Sequence, residues 1–377
     1  MKMGRAALAL GLAGLAAYIY WRSTGRAVQD SLSDYELDAA EEFGKDGGAG
    51  NLLGVQAHMV TGDYAHENRF YAKLDGYLSA ASQRGWLGPK TIAVFPEYIG
   101  TWLATAHEKR RVYSAGSLGM AMLPIAACHP LRFAYHVARA GTADRLAYSV
   151  FRTKASDMAR TYDSAFARLA SKYRIHIVAG SIVLPAPRVE NGRLRAGHGP
   201  LYNVSLLYRP DGSADEQVVR KAYPVPRELG FTTPGSIADL PVYDTPAGKL
   251  AVLICADAWY PEAYAAVKAK GAELVAVPSY VEEEGAWDKP WGGYMLTTPP
   301  PADYDPATAQ QLTEGEAWLK FAMPGRLGPA GIANGINVFL RGELWGMGSD
   351  GHTLMVRAGE VLQGRHVRGA ALANMWL

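Results

Sequence analysis

The sequence predicts an α/β fold, and three observations carry that reading. Residues 250–254 (LAVLI) form an apolar run ending on Cys255, a helix-like segment begins near Pro261, and a second apolar run fills residues 274–277. The same alternation recurs upstream, where helix patterns at 65–83 and 156–172 precede buried-strand runs at 91–95 and 175–182. The chain has 377 residues, of which 49% are hydrophobic and 20% charged, a composition that can bury a large layered core and does not fit disorder.

Taken in order, residues 1–27 read as a signal anchor. An uncharged run at 6–21 lies between Lys2 and Arg5 on one side and Arg22 and Arg26 on the other, and ends in Tyr18, Tyr20 and Trp21. Aromatic side chains with basic flanks suit a membrane interface, although the run is a little short of the roughly 20 residues that span a bilayer. Near-balanced flanking charge and the free amino group favour an inside amino terminus, which puts the body on the non-cytoplasmic side of the membrane as a single-pass protein. A cleaved signal peptide is the competing reading, because Gly25 and Ala27 make a small-x-small pair, but the arginines between make a poor cleavage region. Residues 28–50, acidic and glycine-rich, read as a linker.

The body, residues 51–377, starts with a strand at 52–56. The run at 91–95 stops at Pro96-Glu97, so Glu97 stands at a strand end as Cys255 does. Residues 109–154 depart from the rhythm: an apolar segment at 118–127 sits among Lys109, Arg110, Arg111, Arg132, Arg139, Arg145, Arg152 and Lys154, with Asp144 as the single acid. Core packing with a solvated rim explains such a segment, and so does a lipid-facing or substrate-entry element. Cys128 and His129 lie inside it, but neighbours in sequence do not aim at one atom, so Cys128 reads as a buried thiol. Runs at 201–208 and 217–221 flank the turn Pro210-Asp211-Gly212 as a hairpin, and Lys221 closes the second. Beyond a Pro-, Gly- and Trp-rich excursion at 278–306, residues 314–321 read as a helix and 336–341, 346–349 and 353–356 as strands.

A net charge of +2 gives no footprint for nucleic acid. The two cysteines, Cys128 and Cys255, cannot build a disulfide framework, and no Cys/His spacing suggests zinc; neither metal nor cofactor is expected.

Glu97, Lys221 and Cys255 each have an ordinary reading alone, as a structural carboxylate, a surface charge and a small buried side chain. In company and in this order they resemble the nitrilase or carbon-nitrogen hydrolase superfamily from about residue 51 to 356, through GVQ at 54–56, VFPE ending on Glu97, IVAGSIVL, LYNVS, VVRKAYPVP around Lys221, TPAGKLAVLICADAWYPE around Cys255, and GMGSDG at 346–351.

The resemblance implies a four-layer α-β-β-α sandwich in which Cys255 is the nucleophile and Glu97 the general base. Lys221 would stabilise an oxyanion with help from the Ala256 N–H. Glu228, one residue closer to Lys221 than the acyltransferase branch places its second glutamate, matches the acid that holds lysine or substrate. Ala256 stands where relatives commonly carry an aromatic ring, which implies an opened or reshaped wall. The activity implied is hydrolysis of a non-peptide carbon–nitrogen (amide) bond through a cysteine thioester, on a small-molecule or lipid-like amide. Transfer of the acyl group to an amine on a lipid or lipoprotein-like acceptor is the alternative, although that branch carries several membrane spans. A nitrile substrate is disfavoured because the aromatic-glutamate pair that commonly follows the cysteine in true nitrilases is absent here, and an inactive homologue kept for binding fits poorly with a filled triad. The resemblance also implies a homo-oligomer.

Overall fold

Short continuous apolar runs, such as Asn51–Gln56, Thr91–Val94 and Leu274–Ser279, are buried at every position and form the centres of two sheets covered on both faces. The computed structural model describes residues 2–26, 34–294 and 298–377. One six-stranded sheet runs, in spatial order, Leu37–Phe43, Ala370–Trp376, Asn51–Gln56, Thr91–Val94, His176–Val178 and Leu207–Tyr208. The other runs Val242–Thr245, Gly248–Val252, Leu274–Ser279, Asn334–Phe339, Leu354–Arg357 and Glu360–Gln363. Leu52, Ile92 and Val94 share a core with Ile336, Val338 and Leu354, while Leu53, Ala93 and Phe95 pack under the helices Glu67–Gln83 and Arg145–Tyr173. The helices Pro261–Ala269, Glu314–Phe321 and Met323–Leu327 pack into the core of the second sheet. The layers are therefore helix, sheet, sheet, helix, as the sequence resemblance implies. Gly54 sits where they meet: a Cβ there would come within 3.0 Å of Ile336 and Thr353.

Most expected strand and helix runs are present, but the runs at 175–182 and 201–208 are each split, the first into His176–Val178 and Ile182–Pro185 and the second into Leu201–Ser205 and Leu207–Tyr208, with the two parts in different sheets; three further differences stand out. Residues 28–50 are not simply a linker, because Leu37–Phe43 is an edge strand paired in parallel with Ala370–Trp376. Its sequence LDAAEEF hides this, since an edge strand with one solvated face is free to carry acids. Ala370–Trp376, beyond the last strand expected from the sequence, is itself a strand, buried along its whole length. No strand forms at 346–349, where Gly346 and Gly348 take positive φ angles in a turn.

The amino-terminal helix is present as Lys2–Ser23, but no helix among the described residues is long and apolar enough to cross a membrane. At 1.5 Å per residue the uncharged stretch reaches about 24 Å against a hydrocarbon core of about 30 Å. The transmembrane expectation is corrected accordingly. Residues 27–33, which hold the join between the expected anchor and linker, lie outside the described residues. The 109–154 segment forms the helices Arg110–Tyr113, Leu118–Cys128 and Pro130–Val137 and the first turns of Arg145–Tyr173. Glu108, fully buried, ties it down by accepting from Lys154 Nζ at 2.6 Å and facing His129 Nε2 at 2.9 Å.

Candidate active site

The three site residues each follow the end of a strand, and the strands belong to three different sheets that the fold packs together. Thr91–Val94 delivers Glu97, Val219–Arg220 delivers Lys221, and Gly248–Val252 delivers Cys255. All three are buried, with Cys255 the most accessible at 7%. Lys221 Nζ donates to Glu97 Oε1 at 2.8 Å and to Glu228 Oε2 at 2.6 Å. The Cys255 thiol faces the Tyr280 carbonyl at 3.9 Å and is close enough to Glu97 for the two groups to act on each other electrostatically. The structure thus brings together all four charged or nucleophilic residues expected from the sequence, with Ala256 beside Cys255 in the cavity wall.

Burial and charge set these groups apart. Loss of solvent pushes Glu97 up from the ordinary carboxylate range; the Lys221 ammonium opposes that and the nearby Glu228 adds to it. Burial also acts on Glu228, but Lys221, the Tyr98 hydroxyl and the Val225 N–H outweigh it and hold this carboxyl below its usual value. Lys221 would be pushed down by burial alone, yet Glu228 and Glu97 raise it well above its ordinary value, so it stays an ammonium. The Cys255 thiol is raised, first by desolvation and then by the Glu97 charge, so a base is needed to ionise it.

Three polar residues that sequence reasoning did not single out complete the network. Asn203, in the strand Leu201–Ser205, donates through Nδ2 to Glu97 Oε1 at 2.9 Å and to Glu228 Oε1 at 2.8 Å. Tyr98 lies beside Glu228, and its hydroxyl favours the charged form of that carboxyl. Asp257 accepts from the N–H groups of Ala222, Tyr223 and Ile254 at 2.9, 2.8 and 3.2 Å, joining the lysine loop to the cysteine turn. Its burial raises its own carboxyl to about 7 despite those bonds.

The backbone is held unusually at two of these positions. Cys255 has φ 50° and Tyr98 φ 61°, left-handed values that cost a non-glycine residue about 1 kcal/mol or more and persist only where neighbours impose them. Gly180, at φ 65°, lets its loop pass the Glu97 loop, because a Cβ there would lie 2.1 Å from the Pro96 carbonyl oxygen.

Cys255 opens into a cavity of about 550 Å³. Trp259, Trp291 and Trp318 form one wall, and Leu118 and Met122 of the inserted helix form part of another. Cys128 is elsewhere, buried in the insertion. One group of described residues has metal-ligand geometry: His66, Glu67 and His107, with ligand atoms within 4.8 Å of one another. They lie at the surface, absent from the cavity lining, with Glu67 paired to His107 at 2.6 Å.

The carbon-nitrogen hydrolase family model matches residues 65–296, more than half of the chain and inclusive of Glu97, Lys221 and Cys255. The chain belongs to the carbon-nitrogen hydrolase family. The chain is 30% identical over 122 residues to the probable hydrolase YhcX of Bacillus subtilis, covering 32% of the chain and 21% of the relative. It is 35% identical over 137 residues to a citrullinase of Francisella tularensis, covering 35% of the chain and 44% of the relative. The match to nitrilase 3 of Arabidopsis thaliana is 32% identical over 113 residues, covering 30% of the chain and 29% of the relative. The matched stretches thus span less than half the length of these curated relatives. Among solved structures, the chain shares its fold with the amidase from Nesterenkonia sp. AN1, a Glu-to-Gln mutant of which was captured with acrylamide added at its active-site cysteine. That likeness has a TM-score of 0.52 at 16% identity and covers 87% of the chain and 93% of the amidase.

Proposed function

We propose that this carbon-nitrogen hydrolase cleaves amides through a thioester on Cys255. The observation that carries the reading is the buried Glu97–Lys221 pair at 2.8 Å, which lines the same cavity as Cys255 and bears electrostatically on its thiol. Two carboxyls whose ionisations are driven apart divide the work, and here the raised one, Glu97, is suited to move protons while Glu228 stays charged and anchors Lys221.

Glu97 accepts the thiol proton as Sγ attacks the amide carbonyl carbon. The Lys221 ammonium and the Ala256 N–H stabilise the negative oxygen that forms, a contribution of about 10²–10³ in rate for one such donor. Glu97 then gives its proton to the leaving nitrogen, the C–N bond breaks, and an amine or ammonia departs from the thioester. Water enters, loses a proton to Glu97 and attacks the thioester carbon; the acid leaves and the proton returns to Sγ. The similarity to an amidase with a reactive cysteine supports the same nucleophile here.

Acyl transfer shares the first half of this path. A cavity of about 550 Å³ favours keeping it as the second reading, since it has room for an amine beside a thioester. Intact mass after incubation with amides tests both: an acyl adduct should appear, vanish in Cys255→Ala, and decay in water alone if hydrolysis is the function. An adduct that persists until an amine is added favours transfer. An unmodified protein that still turns over, or a fully active Cys255→Ala, overturns the thioester.

A further inference from the structure

A helix stripe left open to solvent needs a cover, and this chain concentrates such stripes in one region. Leu8, Leu12, Leu15 and Ile19 repeat at helical spacing along Lys2–Ser23, and each is more than half exposed. Met120 and Leu123 repeat the pattern on Leu118–Cys128, as do Leu131 and Tyr135 on Pro130–Val137. Away from these three helices and the neighbouring Leu10 and Tyr20, the exposed large apolar residues are Tyr35 and Val361 alone among the described residues.

The helices are joined. Tyr18 donates its hydroxyl to the Ala127 carbonyl at 3.0 Å, and Lys109 sits 4.2 Å from the Trp21 ring while donating to the Thr24 carbonyl at 2.8 Å. The surroundings are of one sign. Residues 110–139 contain Arg110, Arg111, Arg132 and Arg139 and no Asp or Glu, and none of these arginines pairs with a carboxylate among the described residues. Arg139 instead lies 3.8 Å over the exposed Tyr135 ring. The Leu118–Cys128 helix also connects this surface to the site, since Leu118 and Met122 line the cavity while Met120 and Leu123 face outward.

We propose that these three helices form a docking surface for an anionic lipid bilayer, and that the site takes from it amides bearing a long apolar acyl chain. The occupant is lipid by charge complementarity: apolar stripes interleaved with unpaired arginines match hydrocarbon beneath anionic headgroups. The mode is interfacial, consistent with helices too short or too polar to cross. The chain then enters along Leu118 and Met122, between the surface and Cys255. The substrate part of the proposal rests on the amide hydrolase reading; the docking part does not.

The test uses the full chain in flotation with vesicles of phosphatidylcholine alone or mixed with phosphatidylglycerol, and with hexadecanamide in the vesicles or butanamide in solution. The protein should float with the anionic vesicles, at least tenfold less with neutral ones or in high salt, and should hydrolyse vesicle-borne hexadecanamide. The triple variant Leu131→Glu, Arg132→Glu, Arg139→Glu, whose residues lie on the surface and outside the cavity lining, should lose flotation and hexadecanamide turnover together and keep butanamide turnover. Failure of the wild type to float, unchanged flotation of the variant, or a concentration-dependent dimer that the variant abolishes, which would make a second copy the occupant, overturns the docking surface. Flotation with butanamide preferred over hexadecanamide overturns the substrate class alone. Flotation without turnover of either amide leaves docking standing and overturns the hydrolase reading.

Discussion

At Cys255 the backbone and the side chain are prepared for the same event. A left-handed turn directs the residue out of the strand at the cavity floor, and Glu97 stands ready for its proton. Cys255→Ala should remove turnover with the fold intact, whereas Cys128→Ala should leave kcat/KM within about twofold; a steady-state assay with circular dichroism checks both. Glu97→Gln and Lys221→Ala should each cost on the order of 10²-fold or more. Because Glu97 must be ionised to accept the thiol proton and its carboxyl is raised by burial, kcat/KM should fall as pH drops through a limb above the ordinary carboxylate range. A limb at or below that range would assign the proton transfer elsewhere. These residues were legible because each ends an apolar run. Asn203 and Tyr98 were not, since a polar residue within a strand and a tyrosine after one have many ordinary uses. Asp257 did leave a signal, because an acid two residues into a turn commonly accepts from nearby backbone N–H groups.

Elements here are fixed to one another by buried carboxylates as well as by apolar packing. Asp257→Ala would leave the N–H groups of Ala222, Tyr223 and Ile254 without their acceptor, a loss of about 3 kcal/mol or more that thermal unfolding should register, with kcat falling as the lysine loop drifts. Asp350 plays a comparable part: it accepts from the Trp287 N–H at 3.0 Å, from Arg341 at 2.8 Å, and faces His366 at 2.7 Å. Burial works against its ionisation, but those partners win and hold its carboxyl at about 2. A depressed carboxylate contributes stability above its unfolded value, near 4, and loses it as pH falls toward 2. Asp350→Asn should therefore lower Tm at pH 7 and make progressively less difference between pH 4 and 2; an undiminished difference at pH 2 would refute the linkage. The element boundaries that sequence patterns missed share a cause. Leu37–Phe43 and Ala370–Trp376 become strands through each other, and a pairing between such distant segments leaves no local periodicity to read.

Across the whole molecule the decisive dimension is the gap between the two sheets. Gly54→Val would push side-chain atoms into Ile336 and Thr353, which a Cβ alone already approaches to 3.0 Å, and should destabilise the fold by roughly 1–3 kcal/mol in chemical denaturation. The layered architecture was legible from strand and helix order together with the family motifs. The fate of the first helix was not, because spanning a bilayer and lying on one ask for similar residues and differ in length and in what the neighbouring helices present. The strand Ala370–Trp376 lies between Leu37–Phe43 and Asn51–Gln56, hydrogen-bonded on both sides. It is also the last of that sheet's strands to leave the ribosome. Until it emerges, Leu37–Phe43 has no neighbour and Asn51–Gln56 exposes an open edge, so the nascent chain carries a gap in the middle of its first sheet. Closure is thereby deferred until residues 370–376 have emerged, and a chain stalled before residue 370 should remain open to protease along that edge.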